Sequence, residues 1–386
     1  MIEPSQGCML LGAYRVATSL TDCVVLVHGP TGCHFGPNFL EVAGDNMRSA
    51  ATASVMRERC IIYGGVENLE NVIAITRKHH VGKKIVVLSS CAPAIIGDDV
   101  ESEDIDIYLD CGGFQTTMWQ GMEAFLEKLG EVAIQAENRS GGNNKDKDVV
   151  NIIGFQSDVA GARQDIEEIV KIFPTCNVNV IPDSYNNSEH VGDAILNIVF
   201  GYGVKLAKML EKEFGTPYIV VDYPYGVHGW NEFMQTVREY CKVDYDDQVN
   251  YGMKRYRGNL PLFYDVPVCV VGDLPRISGM CKFLERELGM NVELAHATSM
   301  CMEEFDVPCT TLVEESQNEF RDKVNEINFK MLFGTDGERW IRNDTIVFSF
   351  PSFTRMSFTP YLGNGTLNLI SDIYDRLVMY GFGNNR

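Results

Sequence analysis

The sequence predicts an α/β protein built from three doubly wound, Rossmann-like domains with parallel sheets. Short apolar runs alternate with amphipathic helical segments along the chain, which is the pattern of β-α-β units. The length of 386 residues exceeds that of one ordinary domain. Two irregular stretches, 140–148 and 242–264, interrupt the alternation. The expected domains therefore cover residues 1–139, 149–241 and 265–386.

The first predicted domain contains the hydrophobic patterns of both helices and strands. Residues 66–80 place Leu69, Val72 and Ile73 on roughly one face, which is typical of an amphipathic helix. The apolar run that begins at Ile85 predicts a buried strand. The elements expected here are a helix over about 9–20, strand 23–27, helix 66–80, strand 85–90, strand 105–109 and a helix over about 116–138.

The other two domains repeat this alternation of strands and helices. The elements expected in the second domain are strand 149–154, helix 162–172, strand 177–182, helix 188–196, strand 198–201, helix 204–214, strand 218–222 and helix 230–241. Those expected in the third are strand 266–272, helix 276–289, strand 291–295, strand 309–313, helix 316–327, strand 330–333, strand 345–349 and a final helix over about 365–380. Each domain is thus a complete α/β unit.

The amino-acid composition of the chain argues against several classes of function. The formal net charge of −20 argues against a nucleic-acid partner, because phosphate binding needs concentrated Lys and Arg. The N-terminus lacks a basic region followed by an apolar core, and no run approaches the roughly 20 apolar residues of a membrane span. We therefore expect a cytoplasmic protein whose 12 cysteines stay reduced and free to bind metal.

Three common binding motifs are missing. The segment 82–84 lacks the earlier glycine and the following Ser or Thr of a P-loop, so the chain is not expected to hydrolyse nucleotide by itself. The pair Gly201 and Gly203 lacks the third glycine of a dinucleotide fingerprint. Closely spaced cysteine pairs are also missing, which makes structural zinc an unfavoured interpretation.

Three cysteines occupy the places where an α/β sheet usually binds ligands. Cys33 ends a glycine-rich loop that follows the apolar run 23–27, and Cys91 follows the strand 85–90. Cys8 follows Gly7 near the start of the chain. Thiolates at the carboxyl ends of strands suit iron and sulfide. Most other cysteines are expected to pack as small hydrophobic residues, and the examples are Cys23, Cys60, Cys269 and Cys309.

These cysteines lie in sequence blocks that resemble the nitrogenase component 1 superfamily. The blocks occur in the family's order and are Gly7-Cys8, HGPTGC at 28–33, IYGGVENL at 62–69 and SCAPAIIGDD at 90–99. Weaker likeness continues through CGGF at 111–114, VGD at 271–273 and FPSF at 350–353. The resemblance therefore spans nearly the whole chain and agrees with the three-domain prediction.

The resemblance implies an iron-sulfur cluster held by Cys8, Cys33 and Cys91 at a subunit interface. The cluster would be a four-iron four-sulfur centre completed by a partner chain, or an eight-iron P-type cluster shared equally between two chains. The partner would be a homologous or identical component 1 subunit, in a dimer or a heterotetramer. Electrons would arrive from a separate ATP-hydrolysing iron protein, which agrees with the missing P-loop.

Two functions remain open because the chain departs from the nitrogen-fixing subunit. Glycine stands at Gly201, where the family's cofactor-binding cysteine is expected, and His296 lies far from the place of the cofactor histidine. The resemblance therefore implies either a nitrogenase-like reductase that passes low-potential electrons to a substrate, or a scaffold that assembles a complex metal cofactor. A second metallocluster is possible in either function, and the substrate stays open.

Several aromatic and histidine residues are candidates for a substrate pocket. His228 is preferred as a catalytic acid or a cavity residue, because a loop histidine is a common proton donor. The other candidates are His34, Phe114, Trp119 and Trp230.

Overall fold

A computed structural model of the protein describes residues 7–34, 48–98, 100, 104–113, 117–140, 148–159, 161–185, 191–244, 260–313, 316–334, 342, 345–350 and 360–381. The chain divides into two compact units. The first consists of Met1–Asp158 and Asn177–Ile219, and the second of Val159–Cys176 and Val220–Arg386. The predicted α/β class with parallel sheets is confirmed, while the boundaries of the three predicted domains stay a prediction.

The first unit contains a parallel sheet that carries the cysteine blocks. Its strands are β1 Cys23–His28, β2 Ala50–Ala53, β3 Lys84–Ser89 and β4 Ile107–Asp110, in the order β2-β1-β3-β4. β1 is buried along its whole length, as expected for a central parallel strand covered on both faces. The register pairs His28 with Ser89, so β1 and β3 end side by side. The loops that follow them therefore begin at the same edge of the sheet.

Five helices belong to this part of the first unit: α1 Met9–Thr18, α2 Glu58–Tyr63, α3 Val66–His79, α4 Cys91–Ile96 and α5 Met118–Ser140. α3 covers the sheet by packing Leu69 and Ile73 against strand residues. α1 and α5 approach each other closely at two glycines. A Cβ atom on Gly12 would lie 1.8 Å from the Met118 carbonyl oxygen, and one on Gly121 would lie 2.0 Å from that of Met9. The contact therefore requires glycine at both positions.

A second parallel sheet has the order β6-β5-β7-β8. Its strands are β5 Val149–Ile153, β6 Asn177–Ile181, β7 Ala194–Val199 and β8 Tyr218–Val220, and α7 Val204–Phe214 packs against α5. The predicted helix 188–196 is wrong in its described part, because β7 starts at Ala194. The predicted strand 198–201 overlaps the end of this strand, which ends at Val199. The prediction failed because the apolar residues of a central strand resemble those of a buried helix. Within β7, the buried Asn197 accepts a hydrogen bond of 2.8 Å from Asn151 Nδ2.

The second unit is built on a five-stranded parallel sheet with the order β11-β10-β9-β12-β13. The strands are β9 Pro267–Asp273, β10 Asn291–Ser299, β11 Thr311–Val313, β12 Met331–Gly334 and β13 Ile346–Ser349. The helices are α6 Ala162–Val170, α8 Gly226–Arg238, α9 Leu274–Arg286, α10 Gln317–Glu326 and α11 Thr366–Gly381. In the described ranges of both units, no helix has the length and apolar character needed to cross a membrane.

One helix start differs from its predicted place for a clear physical reason. α8 begins at Gly226 rather than at 230, because the Glu287 carboxylate accepts hydrogen bonds from the backbone N–H groups of Val227, at 2.9 Å, and His228, at 2.7 Å. This distant carboxylate caps the helix. β2, α2 and α4 are additions to the elements expected from the sequence. Most of both irregular stretches, and Phe114, lie outside the described residues.

Candidate metal centre

The three predicted cluster cysteines all belong to the first unit. Cys33 lies in a short 3₁₀ turn, Thr31–His34, that follows β1. Cys91 is the first residue of α4, directly after β3 and Ser90. Cys8 precedes α1, and its backbone forms an antiparallel bridge with Thr117 at the start of α5. Two thiols thus come from neighbouring strand ends, and the third comes from the start of a helix.

The three thiols act on one another electrostatically. Burial raises the pKa of the Cys33 thiol above its ordinary value, and nearby Cys91 and Cys8 raise that pKa further. The Ser90 hydroxyl opposes this rise because its hydrogen bond to Cys33 stabilises the thiolate. Cys8 is exposed, while Cys33 and Cys91 are half-buried. The structure therefore brings all three predicted ligands into one region that solvent or a partner can reach.

Small residues allow the loops around the cysteines to pack closely. A Cβ atom on Gly29 would lie 2.1 Å from Ser90 Oγ and 3.7 Å from Cys33 Cβ, so only glycine leaves room for that hydroxyl. A fourth thiol, that of Cys111, is buried nearby. Burial raises the pKa of Cys111 far above its ordinary value, with smaller contributions from Asp110, Cys8 and Cys91. Cys111 is therefore a protonated packing residue when metal is absent.

A buried carboxylate joins three of the sequence blocks. Oδ2 of Asp98 lies 3.3 Å from Nε2 of His28 and accepts a hydrogen bond of 2.9 Å from the Gly65 N–H. Nδ1 of His28 lies 2.9 Å from Ser54 Oγ, which also accepts the Gly29 N–H at 3.2 Å. Burial lowers the pKa of His28, although Asp98 opposes that change. Asp98 thus connects the end of β1, the start of α3 and the segment after α4.

This set of donors fits an iron-sulfur cluster better than a single ion. Within the described ranges, no group of three Cys, His, Asp or Glu side chains is arranged to hold one metal ion. Thiols that share one region without the arrangement of a single-ion site are the donor type that iron-sulfur clusters use. The Ser90 hydroxyl is buried beside the Cys33 thiol, so it is placed to donate to a cluster sulfur.

The region around Gly201 is filled by protein. Gly201 follows β7 with a positive φ of 78°, between the buried rings of Phe200 and Tyr202. Phe200 packs edge to face against Phe155, with ring centroids 5.0 Å apart. A cavity of about 20 Å³ remains beside Phe155 and Tyr202 within the first unit. Such a volume has room for about one water molecule, which is far too little for a metal cluster.

The predicted catalytic residue His228 lies in the second unit, in the first turn of α8, and its side chain is exposed. It therefore belongs to a different compact unit from the cysteines. Of the other pocket candidates, His34 and Trp230 are buried, Trp119 is half-buried and Phe114 lies outside the described residues.

A model of the family described as nitrogenase component 1 type oxidoreductase matches residues 8–378. The chain belongs to this family. The predicted family resemblance and oxidoreductase class are therefore confirmed. Component 1 proteins bind iron-sulfur clusters and act with a partner component 1 subunit and an iron protein.

Two relatives of this component 1 chain have different functions. One subunit of the light-independent protochlorophyllide reductase of Angiopteris evecta is 24% identical over an alignment of 425 residues, covering 96% of this chain and 82% of the relative. The nitrogenase iron-molybdenum cofactor biosynthesis protein NifE of Clostridium pasteurianum is 29% identical over 245 residues, covering 58% of this chain and 51% of the relative. The solved structure of nitrogenase Cp1 at pH 6.5 matches with a TM-score of 0.77 at 18% identity, covering 98% of this chain and 93% of that chain.

Two important residues of this site were missed by sequence reasoning. Ser90 and Asp98 both lie in the block at 90–99, but neither was predicted to contribute to the site. A serine beside a cysteine and an aspartate after a glycine are common, and only the folded contacts distinguish them. The sequence offered two indications of their roles: Ser90 directly precedes the predicted ligand Cys91, and Asp98 lies near the end of the same block.

Proposed function

We propose that this component 1 chain is a subunit of the catalytic component of a nitrogenase-like reductase. It relays low-potential electrons from an ATP-dependent iron protein, through an iron-sulfur cluster at a subunit interface, to a substrate. The observation that carries this proposal is the convergence of the Cys8, Cys33 and Cys91 thiols beside a buried Ser90 hydroxyl. The 24% identity to a reductase subunit along nearly the whole chain supports it.

In this proposal, Cys8, Cys33 and Cys91 hold either a four-iron four-sulfur cluster or an eight-iron P-type cluster. The group supplies one-electron transfer at low potential when it is bound. The protein residues set the surroundings in which it operates. The Ser90 hydroxyl donates toward sulfur, and the half-buried positions of Cys33 and Cys91 limit the access of water.

In this proposal a partner subunit completes the site, because Cys8, Cys33 and Cys91 supply three ligands and Cys8 is exposed. An apolar patch lies close by, formed by Ile61, Ile62, Tyr63 and Ile95 of the touching helices α2 and α4. Ile62 is 72% exposed and Tyr63 is 81% exposed. Adjacent large apolar side chains at this exposure are typical of surfaces that a partner covers. We propose that a second component 1 subunit or the iron protein covers the patch.

An assembly scaffold for a complex metal cofactor is the second candidate function. The 29% identity to the cofactor biosynthesis protein NifE favours it, although that likeness covers only 58% of this chain. A scaffold keeps the interface cluster and also binds and releases a second metallocluster. The filled surroundings of Gly201 within the first unit argue against that second cluster binding at this position.

We also propose that His228 donates a proton during substrate reduction. Its side chain is exposed, and histidine is the side chain that most often serves as a general acid. The variant His228→Ala should lower substrate turnover about 100-fold without changing the iron content, because general acid catalysis contributes roughly that much. His79→Ala, which changes another exposed histidine, is the matched control and should leave turnover unchanged. Equal turnover in both variants would exclude this role for His228.

The proposed function is tested by quantifying iron and sulfide in the anaerobically purified protein and recording its electron paramagnetic resonance spectrum. Cys33→Ala should lose the cluster and its signal, whereas Cys176→Ser, a half-buried cysteine of the second unit, should keep both. Retained iron in Cys33→Ala would reject the ligand assignment.

A second experiment adds iron protein, ATP and reductant to the purified protein. Continuing electron consumption with a candidate substrate supports the reductase, whereas one reduction with release of a second metallocluster supports the scaffold.

A further inference from the structure

Two cysteines of the second unit, which the proposed function does not use, lie side by side. Cys281 is fully buried in α9, and Cys309 is half-buried in the segment before β11. Their thiols hydrogen-bond to each other. The fold explains this contact, because α9 packs against β10, and the carbonyl oxygen of Thr310 accepts the Ala295 N–H of β10 at 2.9 Å. That bond holds the adjacent Cys309 beside the strand that α9 covers.

We propose that Cys281 and Cys309 form a dithiol that low-molecular-weight disulfides oxidise to an intramolecular disulfide. The Cys309 thiolate attacks one sulfur of a reagent RSSR, which forms the mixed disulfide Cys309–SSR and releases RS⁻. The Cys281 sulfur then attacks the Cys309 sulfur and releases the second RS⁻. Two electrons pass from the protein thiols to the reagent's S–S bond, and the two thiol protons leave with the two RSH molecules.

The asymmetry of the pair assigns the two roles. Cys309 is half-buried and can meet a small reagent, whereas Cys281 has no exposed surface. The hydrogen bond from Cys281 lowers the pKa of Cys309, because it stabilises the Cys309 thiolate. The same bond and burial raise the pKa of Cys281. A reachable thiol with the lower pKa is the attacking nucleophile, and the buried partner is placed to resolve the mixed disulfide.

The backbone around Cys309 suits disulfide formation. Residues 300–310, which join β10 to β11, form neither helix nor strand. The sulfur atoms have to move from hydrogen-bonding contact to about 2 Å, and an irregular segment can adjust without breaking a sheet ladder. The same segment supplies Glu303–Asp306 to one wall of a cavity of about 420 Å³, which Lys282 of α9 also lines. Oxidation therefore ties this wall to α9 by a covalent bond.

The test is anaerobic incubation of the full-length protein with glutathione disulfide, followed by blocking of free thiols and peptide mass spectrometry. The expected product is one peptide pair joined through Cys281 and Cys309, which dithiothreitol separates. Recovery of both cysteines as blocked thiols, while Cys176 becomes glutathionylated, would overturn the proposal. This measurement needs no variant and no bound cluster, so its result is independent of the proposed function.

Two serine variants then separate the roles. Cys281→Ser should accumulate a stable Cys309–glutathione mixed disulfide, because the resolving thiol is lost. Cys309→Ser should lose both products, because the reagent cannot reach Cys281. Cys176→Ser should form the same cross-link as the unmodified protein and serves as the control. The resolving step would be excluded if the Cys309–glutathione adduct persisted equally with and without Cys281. Circular dichroism spectra check that each variant is folded.

Discussion

Nε2 of His28 lies 3.3 Å from Oδ2 of Asp98, although 70 residues separate them in the chain. The two side chains are almost completely buried, with 0% and 4% exposure. Because the same carboxylate accepts the Gly65 N–H, it holds the end of β1 next to the start of α3. One side chain thus connects the start of the loop to Cys33, the start of α3 and the segment that follows α4.

Replacing that carboxylate should destabilise the first unit. Asp98→Ala leaves the buried Gly65 N–H without its acceptor and removes the partner of His28, so we expect a loss of about 3 kcal/mol in the free energy of unfolding. Asp98→Asn keeps an acceptor oxygen and should lose about 1 kcal/mol. Urea denaturation followed by circular dichroism measures both. The exposed Glu70→Ala is the control, with an expected change below about 0.5 kcal/mol. A midpoint for Asp98→Ala equal to that of the control would contradict this assignment.

Removing the Ser90 hydroxyl should raise the pKa of Cys33, because its hydrogen bond stabilises the thiolate. In the iron-free protein, Ser90→Ala should therefore shift the pH profile of Cys33 alkylation by iodoacetamide to higher pH. Mass spectrometry of the peptide that contains Cys33 gives the rate at each pH. Ser89→Ala alters the neighbouring hydroxyl of β3 and should leave the profile in place. An unchanged profile in Ser90→Ala would mean that this hydroxyl does not contact the thiol in solution.

The apolar patch should bind a partner without stabilising the isolated chain. Tyr63→Ala removes an 81% exposed ring, so we expect about 10-fold weaker binding of the partner subunit or the iron protein. The free energy of unfolding should change by less than about 0.5 kcal/mol. Biolayer interferometry with each partner measures the binding. Val81→Ala changes a residue that is 86% exposed outside the patch and should bind normally. If both variants bind equally well, the docking surface lies elsewhere.

Asp165 should make the stability of the protein depend on pH. Burial raises the pKa of this carboxyl from 3.8 to about 6, although the N–H groups of Leu362 and Tyr361 and the charge of Arg276 oppose the rise. A raised pKa in the folded state means that protonation favours folding. Its contribution is full below the unfolded pKa of 3.8 and is lost as the pH rises through about 6.

The variant Asp165→Asn cannot ionise and should lack this dependence. The unmodified protein should lose on the order of 2–3 kcal/mol relative to Asp165→Asn as the pH rises through this window. Urea denaturation at several pH values gives the difference. Glu167→Gln, which changes an exposed neighbour, should follow the unmodified protein. Parallel stability curves for Asp165→Asn and the unmodified protein would show that the carboxyl titrates normally.

Local sequence patterns predict most helices and strands, because one-sided helical periodicity and long apolar runs are local properties. The predicted helices at 66–80 and 204–214 agree with α3 and α7 to within one residue. The pattern misassigns part of strand β7, because apolar residues in a central strand also satisfy a helical period over a short window. The start of α8 depends on Glu287, a residue about 60 positions away, and no local pattern contains that information.

The candidate site is predictable only in part for the same reason. Cys8, Cys33 and Cys91 can be chosen from their places next to glycines and strand ends and from the family blocks. The roles of Ser90 and Asp98 depend on which loops meet in space. The contact of Cys309 with Cys281 is also hidden in the sequence, since Cys309 is expected to pack as a small hydrophobic residue and is instead half-buried against a second thiol.

The glycine contact between α1 and α5 has a consequence for how variants of this protein are screened. Cys8 immediately precedes α1, so its position depends on how closely the two helices approach at Gly12 and Gly121. A single methyl group at either glycine would push α1 outward and move Cys8 away from the other thiols, while the strands of the sheet keep their pairing. In the proposed function Cys8 holds the cluster, so such a variant would purify as a folded but colourless protein, and a screen based on solubility alone would pass it.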